Sequence, residues 1–303
     1  MATLWWLAVT LALFLSAGNT LAGGSNKPGK INAQLKVNPK KQAENVNLNM
    51  KVNAKKLAGI VNNILNRFRP SYTTQDGTVR NPMFSVAVAV PFYSSTQRFD
   101  MNLVCDDGDR VREKILNCAV YEGQRMVAAT VLRWPDVLDQ CPKSRVQWTD
   151  VLRRCGKQSM TWAEVQTSCS HAVSNGRADH AEYRTLQRFG TLVNKPNKED
   201  LLVFYVYASP CGNRCANPDD SRNILNLIKS IKGWKNYVFV FSKVFKPRDG
   251  STIPDSELKE AVSKIGDSIG LGNIFRCDGS AGWIHCTSCS TDGDVTPRCY
   301  KNN

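Results

Sequence analysis

The chain has 303 residues, of which 42% are hydrophobic, with a formal net charge of +14 and 11 cysteines. A chain of this length can bury a sizeable core, as one large domain or as two small ones. The cysteine content argues against a reducing compartment and favours an exported protein in which disulfides persist.

The N-terminus, MATLWWLAVTLALFLSAGNTLAGG, has the pattern of a secretory signal peptide. Residues 4–15 are apolar apart from Thr10, and this run is too short to span a bilayer. Small residues follow at a spacing suited to cleavage. We predict a signal peptide over residues 1–22 and a secreted, extracellular product; the alternatives are a buried helix or an uncleaved anchor. No later segment has a transmembrane pattern.

A basic segment follows. Residues 23–57 carry eight lysines and one glutamate, a net charge of +7. Because little of this segment is apolar, we predict a flexible basic arm over residues 23–53. Such an arm promotes solubility or attracts polyanions, namely nucleic acid, anionic glycans or membrane surfaces, and the charge alone does not choose among them.

The first half of the chain predicts one helix, two strands and an insertion. Apolar residues recur at helical spacing from Leu57 to Phe68, and Pro70 ends the run. Strands are predicted over residues 83–90 and about 126–132. Residues 106–178 contain four cysteines after Cys105 and only short helical patterns, so we interpret them as an insertion held together by disulfides.

From Asp179 onwards, predicted helices and strands alternate. This alternation favours an α/β fold in which a mostly parallel sheet lies between helices. The predicted elements, in chain order, are a helix that begins near His180 and ends at Gly190, a strand over 201–208, a helix over 223–231, a strand over 237–241, a helix over 258–269 and a strand over 273–277.

Cys211 and Cys215 directly follow the predicted strand 201–208. Ligand sites in such sheets lie at the carboxyl ends of strands and at the helix starts that follow. A helix N-terminus also favours thiolate over thiol, and hence metal binding. A catalytic zinc takes three protein ligands and leaves its fourth position for water.

The third ligand must come from the three histidines, His171, His180 and His285. His180 is the candidate because it begins His180-Ala181-Glu182 at a helix start, where residues two apart can face one site. His180, Cys211 and Cys215 would then bind one Zn²⁺ per chain. Glu182 would transfer protons between water and the departing amine.

These motifs resemble those of the zinc-dependent cytidine deaminase superfamily. The chain has H-A-E, then P-C-x-x-x-C after a buried strand, and its Ala-Ser-Pro-Cys segment is most similar to the AID/APOBEC branch. The signal peptide and extra cysteines make it similar to the secreted AID/APOBEC-like deaminases of vertebrates, particularly fish. The resemblance implies a three-layer sandwich with a five-stranded mixed sheet, a deaminase domain over residues 54–277, and conversion of cytosine to uracil.

The resemblance also places substrate contacts around the metal motif, at Ala181, Ser209 and Pro210. An aromatic residue often precedes Ser-Pro-Cys in this branch, whereas this chain has Ala208 there. The nearest aromatic, Tyr207, is expected to point to the opposite face of the strand.

The segment after the strand 237–241 combines cations with an aromatic residue, in Lys243, Phe245, Lys246 and Arg248. Such residues suit single-stranded nucleic acid, and in the family this loop contacts the base that flanks the target. We therefore predict single-stranded DNA or RNA as the partner and, from export and the family, a role in innate immune defence. The alternatives are a nucleoside deaminase and an inactive cationic antimicrobial protein that binds polyanions. The zinc motif alone serves adenine as well as cytosine.

The cysteine count is odd, so it predicts a free thiol or an intermolecular bridge. Cys277, Cys286, Cys289 and Cys299 lie in or next to the tail, residues 278–303. Together with His285 they could form a second zinc site, although disulfides are favoured in a secreted chain.

Overall fold

A computed structural model describes residues 53–193, 197, 199–280 and 282–301. The predicted signal peptide, and the predicted basic arm apart from Asn53, lie outside the described residues. Within the described part of the chain, no helix has both the length and the apolar character needed to cross a bilayer.

The strands are numbered in chain order. Those of the described residues are β1 (Tyr72–Thr73), β2 (Val79–Arg80), β3 (Phe84–Val90), β4 (Phe92–Tyr93), β5 (Arg98–Phe99), β6 (Tyr121–Glu122), β7 (Met126–Thr130), β8 (Leu132–Arg133), β9 (Ala178–Asp179), β10 (Leu201–Ala208), β11 (Asn236–Lys243), β12 (Ile274–Ser280), β13 (Trp283–Ser288), β14 (Ser290–Thr291) and β15 (Asp294–Val295).

The helices are of two kinds. The α-helices of the described residues are α1 (Ala54–Phe68), α2 (Gly108–Leu116), α3 (Val137–Gln140), α4 (Thr149–Arg154), α5 (Trp162–Ser168), α6 (Ala181–Gln187), α7 (Gly190–Val193) and α8 (Asp255–Ile269). The 3₁₀ helices span Met101–Leu103, Ser170–Ala172, Leu227–Gly233, Leu271–Asn273 and Pro297–Cys299.

The main sheet is mixed and, within the described residues, has seven strands in the order β13-β12-β11-β10-β3-β7-β6. The strands β10, β11 and β12 are parallel, and the other pairs are antiparallel. The prediction of five strands was therefore wrong. The two extra strands, β6 and β13, lie at the sheet edges, where short or half-exposed strands carry no continuous apolar run.

Apolar patterns produce the elements that the sequence predicted. In α1, Leu57, Ile60, Val61 and Ile64 are buried at helical spacing, and the Asn53 side chain caps the helix by accepting a hydrogen bond from the Lys56 amide. The central strand β10 is buried on both faces, as its uninterrupted apolar sequence predicts.

Helices cover both faces of the sheet, as predicted. On one face, α1 and α2 pack against alternate residues of β3, β7 and β10. On the other face, residues of α6, α7, α8 and the 3₁₀ helix Leu227–Gly233 pack against the remaining alternate residues. Tyr207 packs on the first face, whereas Cys211 and Cys215 belong to the second, so the predicted orientation of Tyr207 is confirmed.

A separate apolar cluster lies outside the two sheet faces; we call it the insertion core. It is built around three tryptophans and two disulfides, Cys118–Cys141 and Cys155–Cys169. This confirms the prediction that disulfides hold this region, although β6 and β7 in the first part of the predicted insertion join the main sheet. Its buried residues are Cys118, Leu132, Trp134, Val137, Cys141, Val146, Trp148, Val151, Met160, Trp162, Val165, Cys169, Ala172 and Val173.

The tail is also held by disulfides. Cys277 pairs with Cys286 across β12 and β13, and Cys289 pairs with Cys299. The four tail cysteines are therefore oxidised rather than available for a second zinc. The odd cysteine is the exposed thiol of Cys105.

Residues 223–231 do not form the predicted α-helix. They begin as turns and continue as the 3₁₀ helix Leu227–Gly233. The side chain of Asn223 accepts a hydrogen bond from the Leu225 amide, and the Ser230 hydroxyl donates to the Leu227 carbonyl. Side chains that bond to nearby backbone in this way compete with a regular helix.

Candidate metal centre and its cavity

His180 stands at the start of α6. It is the N-cap residue, with an extended backbone and no capping bond from its ring, and the helix proper begins at Ala181. Because His180 lies just before the first turn, its ring and the Glu182 side chain reach the same place; His180 Nδ1 lies 4.0 Å from Glu182 Oε1. The prediction that these two residues face one site is confirmed.

After β10, Cys211 has no regular secondary structure and Cys215 lies in a turn, so neither starts an α-helix and the predicted helix-dipole effect on these thiols was wrong. Instead, the Cys215 amide donates to Cys211 Sγ at 3.4 Å. The segment between the cysteines, Gly212 to Arg214, bends back so that both sulfurs face α6.

The three candidate ligands converge. His180 Nδ1 lies 3.1 Å from Cys215 Sγ and 3.5 Å from Cys211 Sγ, and the donor atoms of all three residues lie within 4.8 Å of one another. The Cys215 thiol also donates to Glu182 Oε1 at 3.1 Å. These residues come from two segments separated by the whole of β10.

The ionisable side chains of the site have pKa values that are shifted in different directions. The hydrogen bond from Cys215 and the interactions with His180 lower the pKa of Cys211 well below its usual range, whereas burial raises the pKa of Cys215. Burial also raises the pKa of Glu182. For His180, burial acts to lower the pKa, but the hydrogen bond with Cys211 and the charge of Glu182 outweigh it, so the pKa is raised.

This donor set fits zinc. Typical bond lengths are about 2.0 Å to nitrogen and 2.3 Å to sulfur, which place two donors of one tetrahedral ion about 3.5 Å apart. The separations of 3.1 and 3.5 Å from His180 Nδ1 to the sulfurs are close to this spacing. One imidazole and two thiols, buried with a carboxylate beside them, are the ligand types that zinc prefers.

The site opens into a cavity of about 230 Å³. His180, Ala181 and Glu182 line it, together with apolar Met83 and Val131. Cations also line it, namely Arg133, Arg214, Lys246 and Arg248. The cavity therefore combines a buried polar centre with a cationic wall.

The comparisons with known proteins bear on this centre directly. A family model described as Secreted Novel AID/APOBEC-like Deaminase 1 matches residues 150–303, about half of the chain. The chain belongs to this family. The match includes His180, Glu182, Cys211 and Cys215, and the family description supports a secreted, deaminase-like protein. No curated protein and no solved structure matches the chain.

The secreted AID/APOBEC-like family is the one that the sequence motifs suggested, so that resemblance is confirmed. The four disulfides fit the extracellular location that the family description implies.

In this family member, the structure separates the predicted substrate residues into two groups. Ala181, Phe245, Lys246 and Arg248 line the cavity, whereas Ser209, Pro210 and Lys243 do not.

Ser209 instead connects two loops. Its amide donates to the Lys243 carbonyl at 2.8 Å, and its hydroxyl accepts from the Phe245 amide at 3.0 Å. Ser209 thus holds the segment that leads to Cys211 against the segment that carries Phe245.

Several residues of the cavity were not predicted from the sequence. Asn213 and Arg214 could have been found from their position between the two cysteines. Arg214 donates to the Ala178 carbonyl at 2.6 Å and so ties the cysteine loop to the segment before His180. Arg133, in β8, has no local signal, because only the fold brings it to the site.

Proposed function

We propose that this protein is a zinc-dependent hydrolytic deaminase that converts cytosine to uracil in single-stranded DNA or RNA. The observation that carries the proposal is the convergence of His180, Cys211 and Cys215 beside the buried carboxylate of Glu182, with His180 and Glu182 lining a cavity. The sheet with helices on both faces supports a cytidine-deaminase-like domain over residues 54–277.

In the proposed mechanism, His180, Cys211 and Cys215 would hold Zn²⁺, which would supply hydroxide at neutral pH by lowering the pKa of water toward ~7. Glu182 would take up the proton that is released and deliver it to the departing amine of cytosine as oxygen adds at C4. Ammonia leaves and uracil remains. The raised pKa of the buried Glu182 suits a group that must both accept and release a proton.

The cavity supports an anionic substrate. Four cations line it, and Glu182 is the one acidic residue among the described lining residues. A free nucleoside has no phosphate for these cations, whereas a polynucleotide has one at every sugar. Phe245 offers an aromatic surface beside Lys246 and Arg248, an arrangement that suits a base next to the target. Export and family membership support a use in innate defence.

The first test is metal content. We expect one zinc per chain in mature protein purified without added metal, and loss of that zinc in His180→Ala. Three thiols, Cys105, Cys211 and Cys215, should react after zinc removal and denaturation, and only Cys105 should react in the native protein. Absence of zinc, with Cys211 and Cys215 oxidised, would favour the alternative hypothesis of a cationic binding protein.

The second test is turnover. Glu182→Gln should keep its zinc but lose at least ~10²-fold in rate, because its amide cannot transfer the proton. The substrates to compare are an oligonucleotide with one cytosine, the same oligonucleotide with one adenine, and free cytidine. Preference for cytidine would favour a nucleoside deaminase, and conversion of adenine would reassign the target base. Unchanged turnover in Glu182→Gln would remove Glu182 from its role.

A further inference from the structure

Two arginines of the cavity share one carboxylate. Arg133 Nη1 lies 3.3 Å from Asp136 Oδ1, and Arg248 Nη1 lies 2.6 Å from Asp136 Oδ2. Each carboxylate oxygen thus accepts a hydrogen bond from one guanidinium. Arg248 is 112 residues away from Asp136 in sequence, so this bridge joins the loop after β11 to the segment after β8.

The bridge lies at the mouth of the cavity. The Glu182 side chain is 7% exposed, whereas the Arg133 and Arg248 side chains, which line the same cavity, are 28% and 52% exposed. Lys246 lines the cavity with them and has no ion-pair partner among the described residues. Three cations and one carboxylate leave this mouth with an excess of positive charge.

The arginines keep most of their hydrogen-bonding capacity. A guanidinium has five N–H donors, and Arg133 and Arg248 each make one hydrogen bond with the described residues, in both cases to Asp136. Arg248, at 52% exposed, is largely solvated, so its ion pair with Asp136 contributes little to stability. The remaining donors are available to a ligand.

The size of the cavity indicates where a phosphate would lie. Sites for drug-sized ligands occupy about 300–1,000 Å³, and this cavity, at about 230 Å³, is smaller. It suits a base with part of its sugar, so the phosphate of a bound nucleotide must lie at the mouth. A phosphate offers paired guanidiniums the same kind of oxygen acceptors that Asp136 now offers.

We infer that Arg133 and Arg248 form the binding site for a phosphate of the target nucleotide, and that Asp136 occupies this site when no substrate is bound. The inference rests on the proposed function, in that the cavity must take a pyrimidine nucleotide. Asp136 holds the two guanidiniums together, and the incoming phosphate competes with it for them. Asp136 therefore sets how strongly the protein favours phosphorylated over unphosphorylated ligands.

The test measures binding rather than turnover. The full mature chain carries Glu182→Gln to prevent reaction, and its ligands are cytidine, cytidine 5′-monophosphate and a single-stranded oligonucleotide with one cytosine. Asp136→Asn should bind the two phosphorylated ligands about two- to fivefold more tightly, because no carboxylate competes for the arginines. Its affinity for cytidine should stay the same.

Asp139→Asn is the matched control. Asp139 lies on α3, next to Asp136, and forms no ion pair with the described residues. Its substitution removes the same charge from the chain, so a larger effect of Asp136→Asn isolates the contact with the arginines. Arg248→Ala should weaken phosphate-dependent binding and reduce the slope of log affinity against log salt by about 0.7, the value for one phosphate on a single strand.

Two outcomes would overturn the inference: equal effects of Asp136→Asn and Asp139→Asn, or weaker binding of phosphorylated ligands by Asp136→Asn. The proposed reaction is tested separately. If the chain with its native Glu182 deaminates no substrate while Asp136→Asn still shows the phosphate-specific gain, the reaction is wrong and the phosphate site stands.

Discussion

The central strands of the main sheet and the insertion core are stabilised in different ways. Alternate residues of β10 pack against helices on both faces, and no disulfide joins the described residues of β3, β10 and β11. The insertion core is smaller, and two of its tryptophans, Trp148 and Trp162, pack edge to face with ring centres 4.9 Å apart. Two disulfides close it. The central strands are thus held by packing, whereas the edge pair β12–β13, joined by Cys277–Cys286, and the smaller insertion core also have covalent links.

The two regions meet at a buried arginine on the helix that follows His180. Arg184 is 4% exposed, and it donates to the Cys118 carbonyl at 2.6 Å and to Gln147 Oε1 at 2.9 Å. It also donates to the Thr130 carbonyl at the end of β7. The helix that carries Glu182 is therefore held by the sheet and by the insertion together.

The largest expected loss comes from the sheet. Phe204 is fully buried in β10 and stacks on Phe239 with ring centres 5.7 Å apart. Phe204→Ala should lower the free energy of unfolding by about 3–5 kcal/mol, because it leaves a cavity that the sheet cannot fill. Chemical denaturation measures this. Val79→Ala, at a side chain 64% exposed, is the control and should change stability by less than about 0.5 kcal/mol.

The second effect concerns Arg184, where the main sheet and the insertion core meet. Arg184→Met keeps most of the buried volume but removes the donor to the Thr130 carbonyl and Gln147 Oε1, while the Cys118 carbonyl keeps the Gln147 amide as a donor, so we expect a loss of about 3 kcal/mol. Arg188→Ala, at the exposed end of the same helix, should cost less than about 0.5 kcal/mol. Because Arg184 joins both regions, hydrogen exchange should accelerate in α6 and in the insertion core. Faster exchange in only one of them would contradict the claim that Arg184 stabilises both regions.

The third effect is confined to the insertion core. Replacement of Cys155 and Cys169 by serine opens a loop with a sequence separation of 14. We expect a loss of about 2–3 kcal/mol, since the cross-link restricts the unfolded chain. Hydrogen exchange should accelerate in residues 134–177 and stay slow in β10. Equal acceleration in β10 would show that the two regions open as one unit.

The smallest effect depends on pH. Hydrogen bonds from Arg177 lower the pKa of Asp150, in the insertion core, to about 2. A carboxyl group with a depressed pKa stabilises the fold above its unfolded pKa, ~3.9, and loses this contribution as the pH falls to about 2. The side chain is 35% exposed, so the contribution should be below ~1 kcal/mol.

Melting temperatures at pH 5 and pH 3 test this small term. The difference between the two temperatures should be smaller in Asp150→Asn than in the unsubstituted protein. Asp219→Asn, at an acid without an ion pair among the described residues, should leave the difference unchanged. Equal differences in all three proteins would show that the ion pair contributes nothing.

The sequence predicted those elements whose apolar pattern is strong. Helix α1 and strands β3, β10 and β11 lie where they were expected, because burial on one or two faces leaves a clear pattern. Strand β13 has exposed Trp283 and His285 and no apolar run, so it could not be recognised. Its place at the sheet edge depends on pairing with β12, a contact that local sequence does not encode.

The residues of the candidate site also differ in how far the sequence predicts their positions. His180, Glu182 and the two cysteines have short, fixed spacings at the ends of predictable elements, so their convergence could be predicted from sequence. Arg133 lines the cavity, and its ion-pair partner Asp136 also contacts Arg248 across 112 residues of sequence. Only the packed structure brings such residues together.

The two hydrogen bonds of Ser209 have a consequence for protein engineering. They join the segment that leads to the cysteines to the backbone of Lys243 and Phe245, so the cysteine loop and the cavity-lining segment at Phe245 are fixed to each other. A loop grafted in place of residues 245–248 from another protein would keep its alignment only if position 209 retained a hydroxyl group. Exchange of this cavity-lining segment must therefore treat residue 209 as part of the transplanted piece.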